Sequence, residues 1–259
     1  MKLRRRGRSA RGPSVESIPT PPSSALSVRV SAKVAVTVVA IPTRPQYLVR
    51  CSRTLLSQLT LPERDARECG DFAALLGIEG TAARLYFAQF PKMLSKACSG
   101  FGAEFSLLGR NRRPPPDPIN ALLSFCYSML TKDLVAVTLG VGLDPYLGVF
   151  HRSRHSRPAL ALDLAEEFRP LIADSVVIGV LNNGEIGPRD FVRRGGAVAL
   201  TGEGRKSVLR AYERRLDTAI RHPVFGYRIT YRRVLDVQAR LLAAVLVGEL
   251  PEYMPMVTR

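Results

Sequence analysis

The chain has 259 residues, a formal net charge of +16 and a pI near 10.4. That length can hold one large or two modest cores, and that charge calls for a polyanionic partner. No apolar run approaches the length of a membrane span, and Cys51, Cys69, Cys98 and Cys126 form neither a CxxC pair nor a metal-ligand spacing. A membrane protein and a thiolate zinc site are therefore not expected, and the thiols read as reduced, partly buried groups of a cytosolic protein.

The charge is uneven. Residues 1–45 hold nine Lys and Arg against one acid, a net +8, and the remaining 214 residues carry the other +8. A body that is basic without its tail favours nucleic acid; a ribosomal or chromatin-like protein fits the charge equally well. Residues 1–25 have the Arg, Pro and Ser bias of a disordered arm. Val28, Val30, Ala32, Val34, Val36 and Val38 then alternate at the period of a strand, but one strand is too little for a sheet with its own core. Ser and Pro separate the basic residues from this apolar patch, so a signal peptide is not expected. The expected division is a basic arm over 1–46 and a helical body over 47–259.

Helical character begins at Tyr47. In GIEGTAARLYF, residues 77–87, Ile78, Ala82, Leu85 and Tyr86 form a helical stripe, and Glu79 is expected on its first turn. The helix dipole alone favours an acid there. Residues 91–116 make a basic connection ending in GRNRRPPPDP, whose prolines and Asp117 set a helix start at 117–119. Arg110, Arg112 and Arg113 beside that start read either as a solvated loop or as a phosphate-contacting edge. A long apolar-rich helix follows, on which Tyr127 reads as a core residue with a satisfied hydroxyl. Asp144-Pro145 then turns the chain towards His151.

The stretch GVFHRSRHSRPALALDLAEEFRP, residues 148–170, concentrates the chemistry. Ser156 and Pro158 read as a helix start, Ala159–Phe168 as the helix, and Pro170 as its stop. Asp163, Glu166 and Glu167 stand at i, i+3 and i+4 and so share a face. Carboxylates crowded in this way with a nearby imidazole suit Mg²⁺ or Mn²⁺ better than a structural zinc. The alternative is a solvated face that pairs with Arg152, Arg154, Arg157 and Arg169. Beyond it, IADSVVIGVLNN predicts another buried helix ending at Asn-Asn-Gly. KSVLRAYERRLDTAI predicts an amphipathic one with Val208, Leu209, Tyr212, Leu216 and Ile220 on one side. GEGRK lacks the spacing of a P-loop. His155 and His222 read as surface residues.

Three of these stretches, in order and spacing, are similar to the CRISPR-associated integrase family of spacer acquisition. GVFH, LALDL and EEFRP fit its histidine-to-helix signature, GIEGTAARLYF its first acidic motif, and DPINALLSFCYSML its D-P-x-N-x-L-L-x-x-x-Y-x-L motif. LVRCSRTLLSQL resembles a linker helix, FVRRGGAVALTGEGR a short basic hairpin insert, and the Q-A-R-x-L-A and Y-x-P patterns a family C-terminus. The resemblance covers about residues 47–259. It implies a mainly α fold: a helical catalytic domain with a short β-hairpin insert, preceded by a disordered or strand-like arm.

The resemblance also implies a metal-dependent DNA endonuclease and transesterase that joins prespacer 3′-hydroxyl ends to a CRISPR repeat in the prokaryotic cytoplasm. Glu79, His151 and Glu166 would be the catalytic and metal-ligating residues for one Mg²⁺ or Mn²⁺. Asp163, Asn120 and Tyr127 would support the site, with Arg84, Arg110, Arg112, Arg113 and Arg169 on DNA phosphates. Glu167→Gln is expected to be mild. The implied partners are double-stranded DNA and a small ferredoxin-like CRISPR-associated protein. The family's β-rich pairing domain has no match here, so this chain is expected to be monomeric or weakly associated rather than a homodimer. Two alternatives are a truncated, catalytically impaired DNA-binding remnant and a stand-alone nuclease for branched DNA.

Overall fold

The computed structural model describes residues 72–111, 114–148, 150–151 and 154–256. The arm over 1–46, the helix from Tyr47, Cys51, Cys69, Arg112 and Arg113 fall outside the described residues. In chain order the elements are α1 (Phe72–Gln89), α2 (Ser99–Leu108), α3 (Pro118–Val141), α4 (Ala159–Phe168) and α5 (Ser175–Asn182). Then follow the hairpin β1 (Phe191–Arg194) and β2 (Ala197–Leu200), α6 (Gly202–Leu216), the hairpin β3 (Ala219–Arg221) and β4 (Arg228–Thr230), and α7 (Tyr231–Leu246). The architecture is the expected mainly helical body with a short hairpin insert, plus a second hairpin.

The body is organised around α3. Asp117 caps it by accepting the Asn120 N–H at 2.9 Å, and Pro118 occupies the first turn, where its missing N–H costs nothing. Ile119, Leu122, Cys126, Leu130, Leu134 and Thr138 recur every three or four residues and are fully buried. Burial of each large apolar member stabilises by about 1.5–3 kcal/mol. Gly142 ends the helix at φ +89°, a conformation that favours glycine. An 18-residue window of α3 has a mean hydropathy of 1.4, which meets the length and composition of a membrane span, a test that the core helix of a globular protein passes as well. It packs against α4, α5 and α7.

The helix after His151 occupies Ala159–Phe168 as expected, but its start differs. Ser156 adopts φ +60° and caps nothing; Pro158 is the capping residue. Pro170 does not stop the chain. It cannot donate to the carbonyl four residues back, and Arg169–Asp174 widen into a π-helical turn that leads directly into α5. The α5 helix is buried up to Leu181, as its apolar run predicts.

Two other expectations move. Helix α1 is already formed at Phe72, so Glu79 lies two turns into it and not at its start; the dipole offers no account of that acid. Helix α6 ends at Leu216, and Ile220 lies on β3. In β1–β2, Phe191 pairs with Leu200 and Arg194 with Ala197, around Gly195 and Gly196 at φ +54° and +75°. Such a two-residue turn matches the strand twist. Cys98 and Cys126 are free and buried.

Candidate active site

Helix α4 and the loop before it are held together at Gly148, where a Cβ would lie 2.5 Å from the Ala159 side chain and the His151 carbonyl. This contact brings the loop's backbone onto Asp163. The buried Asp163 carboxylate accepts the Phe150 N–H at 2.9 Å, the His151 N–H at 2.8 Å and His151 Nδ1 at 2.7 Å. Because an ionised carboxylate can only accept, the Nδ1 proton is committed to it and Nε2 is left as the basic nitrogen. That nitrogen stands 3.9 Å from Glu166 Oε1.

Glu166 is buried and ion-paired with Arg169, one helical turn on. Burial alone would lower the Arg169 pKa, but the carboxylates of Glu166, Asp174 and Glu79 hold it above its ordinary value. Glu79 on α1 is thus electrostatically coupled to this group across the chain. Among the described residues no set of three or more His, Cys, Asp or Glu side chains converges as a ligand cage. The structure brings His151 and Glu166 together, with Asp163 behind the imidazole and Arg169 seated on the carboxylate.

The three carboxylates of α4 do not share a target. On a helix Glu166 and Glu167 point about 100° apart, and Asp163 lies between them. Glu167 reaches the opposite way, accepting Gln238 Nε2 at 2.8 Å, Tyr253 OH at 2.6 Å and the Met256 N–H. Burial pushes its pKa up to about 7 against those hydrogen bonds. It fastens the C-terminal segment to the core.

Asn120 is fully buried and satisfied. Its amide donates to Gly109 O at 2.8 Å and Asp117 Oδ2 at 2.5 Å, and its Oδ1 accepts from Arg110 and the Asn111 N–H. It is the brace of the loop that carries Arg110. Tyr127 donates to Asp174 Oδ1 at 2.7 Å, while Tyr86 donates to Oδ2 at 2.9 Å. Burial raises the Asp174 pKa to about 6 despite both bonds and the nearby arginines. The Arg169 and Arg110 guanidiniums lie 4.9 and 5.3 Å from the Tyr127 ring centre. Arg84 is exposed on α1.

Beside this network opens a cleft of about 800 Å³ lined by Arg110, Arg154, Arg157 and Arg169. Ser124, Ser128 and Thr131 line its α3 wall, and His155, exposed as expected, lies at the cleft. The hydroxyls were detectable in the sequence as a polar stripe at i, i+4 and i+7 on an otherwise apolar helix. Asp174 was detectable as a lone acid in an apolar run. His222, read from the sequence as a surface residue, is buried.

The model of the family described as CRISPR associated protein Cas1 matches residues 47–214. A Cas4/Cas1 fusion of Geobacter sulfurreducens is 51% identical over 79% of this chain and 36% of its own length. A Cas1 endonuclease of Thermus thermophilus is 46% identical over 75% of this chain and 57% of its own. The chain thus spans between about a third and three fifths of these two relatives. Among solved structures, a Cas1 protein from Thermotoga maritima has a TM-score of 0.75 at 24% identity, covering 87% of this chain and 67% of that one. A partial Cas6-RT-Cas1–Cas2 complex gives 0.74 at 25% identity, covering 90% and 69%. A casposase bound to an integration product gives 0.70 at 24%, covering 89% and 62%. With two thirds of its length matched by the family model and its helical body shared with solved members, the chain belongs to the CRISPR-associated Cas1 family.

Proposed function

We propose that this chain carries the phosphoryl-transfer centre of a DNA endonuclease and integrase that joins 3′-hydroxyl ends to a CRISPR repeat. The observation that supports it best is His151, held by Asp163 with Nε2 facing Glu166 at 3.9 Å beside an arginine-lined cleft. That nitrogen has one lone pair, which can take the proton of an attacking hydroxyl or ligate an ion, one at a time. The cleft arginines bind phosphate oxygens, and hydroxyls on the α3 wall can donate to the same backbone. With water as nucleophile the same groups make a nuclease.

An imidazole nitrogen with carboxylate oxygens is a donor set that suits Mg²⁺ or Mn²⁺. His151 and Glu166 would hold the ion, with Glu79 as the expected third ligand, and the ion would compete with Arg169 for Glu166. Bound there it would polarise the scissile phosphate. By its likeness to a complex that contains Cas2, the chain is proposed to act with that small adaptation protein. The test is strand transfer and cleavage of branched and linear DNA with Mn²⁺ or Mg²⁺. Cleavage of branched DNA without joining would favour the stand-alone nuclease, and tight binding without either reaction the DNA-binding remnant.

A further inference from the structure

The β3–β4 hairpin carries a stack of aromatic rings flanked by cations, and the chemistry above does not use it. Its loop, His222-Pro-Val-Phe-Gly-Tyr, is closed by the Gly226 N–H on His222 O at 2.8 Å and the His222 N–H on Tyr227 O at 2.9 Å. Gly226 supplies the φ of +72° that the turn needs. The ring planes of Phe225 and Tyr227 are 14° apart with centres at 5.6 Å, and both side chains remain 44–45% exposed. Beneath them the buried His222 ring lies 4.8 Å from Phe225 and 5.9 Å from Tyr227. Its Nδ1 accepts the Val224 and Phe225 N–H groups at 3.3 and 3.4 Å, and burial lowers its pKa. A neutral ring under two others makes a rigid stack.

At the base of this loop Arg221 pairs directly across the strands with Arg228. Like charges opposite one another destabilise a hairpin, and both side chains are exposed. Arg221 is spent partly on Gly226 O at 2.8 Å, and among the described residues neither arginine forms an ion pair. The nearby acids Glu213 and Asp217 are taken by Arg232. A ligand with flat apolar rings and regularly spaced negative charge answers both features. Duplex DNA hides its base faces, whereas a single strand offers them.

We propose that the β3–β4 hairpin is a base-stacking site for single-stranded DNA. Phe225 and Tyr227 receive unpaired bases, and Arg221 and Arg228 hold the phosphates on either side. The choice of DNA rests on the function proposed above; the stacking chemistry rests on the hairpin. A preformed stack orders few side chains on binding, which favours contact with a flexible strand.

The chain contains no tryptophan, so Phe225→Trp places a single reporter on the surface. Titration of that full-length variant with oligo(dT) should quench its emission, and a duplex of equal length should not. Phe225→Ala/Tyr227→Ala should weaken oligo(dT) binding, read by anisotropy, by about tenfold or more, and duplex binding by less than about twofold. Equal loss on both DNAs, no loss on either, or an unquenched tryptophan at saturating oligo(dT) would overturn the proposal. Stronger quenching by oligo(rU) than by oligo(dT) would overturn the assignment to DNA. Should the double alanine variant fail to fold, the tryptophan titration decides alone. His151→Ala should leave quenching intact while abolishing strand transfer, so failure of either reading is seen separately.

Discussion

Asp163 Oδ1 accepts both the main-chain N–H and the ring Nδ1 of His151, at 2.8 and 2.7 Å. One oxygen thereby fixes the position of the residue and the direction of its ring. Asp163→Asn keeps an acceptor for one of these donors and sets an amide against another. Strand transfer should fall between about 10- and 100-fold, the usual cost of losing the partner that orients a functional histidine. The pH–rate profile should shift with it while duplex affinity stays constant. A variant that loses thermal stability but keeps rate and profile would make Asp163 a loop brace alone.

In the Glu166–Arg169 pair the carboxylate is buried and the guanidinium mostly so, and removal of one member leaves a poorly solvated charge. Arg169→Met should destabilise by about 3–5 kcal/mol in urea denaturation, and Glu166→Gln/Arg169→Met by clearly less. Calorimetric titration with Mn²⁺ should show binding in the wild type and its loss in Glu166→Gln. Retained Mn²⁺ binding in Glu166→Gln would reduce Glu166 to an ion-pair partner.

Much of this arrangement was legible in the sequence, and what escaped it has physical causes. Asp117-Pro118 and Gly142 delimit α3 because capping and left-handed backbone are local chemistry. The split between Glu166 and Glu167 was not legible. Their i, i+1 spacing says that they diverge, but only tertiary contacts with Gln238, Tyr253 and Met256 say where Glu167 goes. Proline at 170 predicts a stop, and the chain widens its helix instead because the surrounding residues Leu171–Asp174 are buried in the core. The β3–β4 hairpin escaped because three-residue strands carry too little alternation to register as a period.

Glu167 tests the C-terminal anchor. Glu167→Ala strands the Tyr253 hydroxyl and the Met256 N–H in the core, each costing about 1–3 kcal/mol when unsatisfied, while Gln238 keeps Tyr253 OH and Met254 O. The melting temperature should drop sharply, and proteolysis should clip the chain after α7 before it clips α3. Unchanged stability would mean that the tail does not depend on this carboxylate.

Asp174 gives the fold a pH dependence whose sign follows from its raised pKa. The group moves from 3.8 to about 6 on folding, chiefly through burial. Between those values the folded chain keeps a proton that the unfolded chain has lost. The contribution is therefore complete below about pH 4 and is lost as pH rises through 6, by at most ~1.4 kcal/mol per pH unit. Urea midpoints of wild type and Asp174→Asn, compared from pH 4 to 8, should separate over this window and run parallel above it. Parallel curves throughout would remove Asp174 as the titrating group.

The proposed centre stands or falls on His151. Wild type and His151→Ala should be compared in Mn²⁺-dependent strand transfer on a repeat-bearing duplex, with duplex affinity measured on the same preparations at fixed salt. The expected result is loss of joining in His151→Ala with duplex affinity within about twofold, since arginine and lysine contacts to phosphate supply that affinity. Joining at the wild-type rate by His151→Ala would contradict the account.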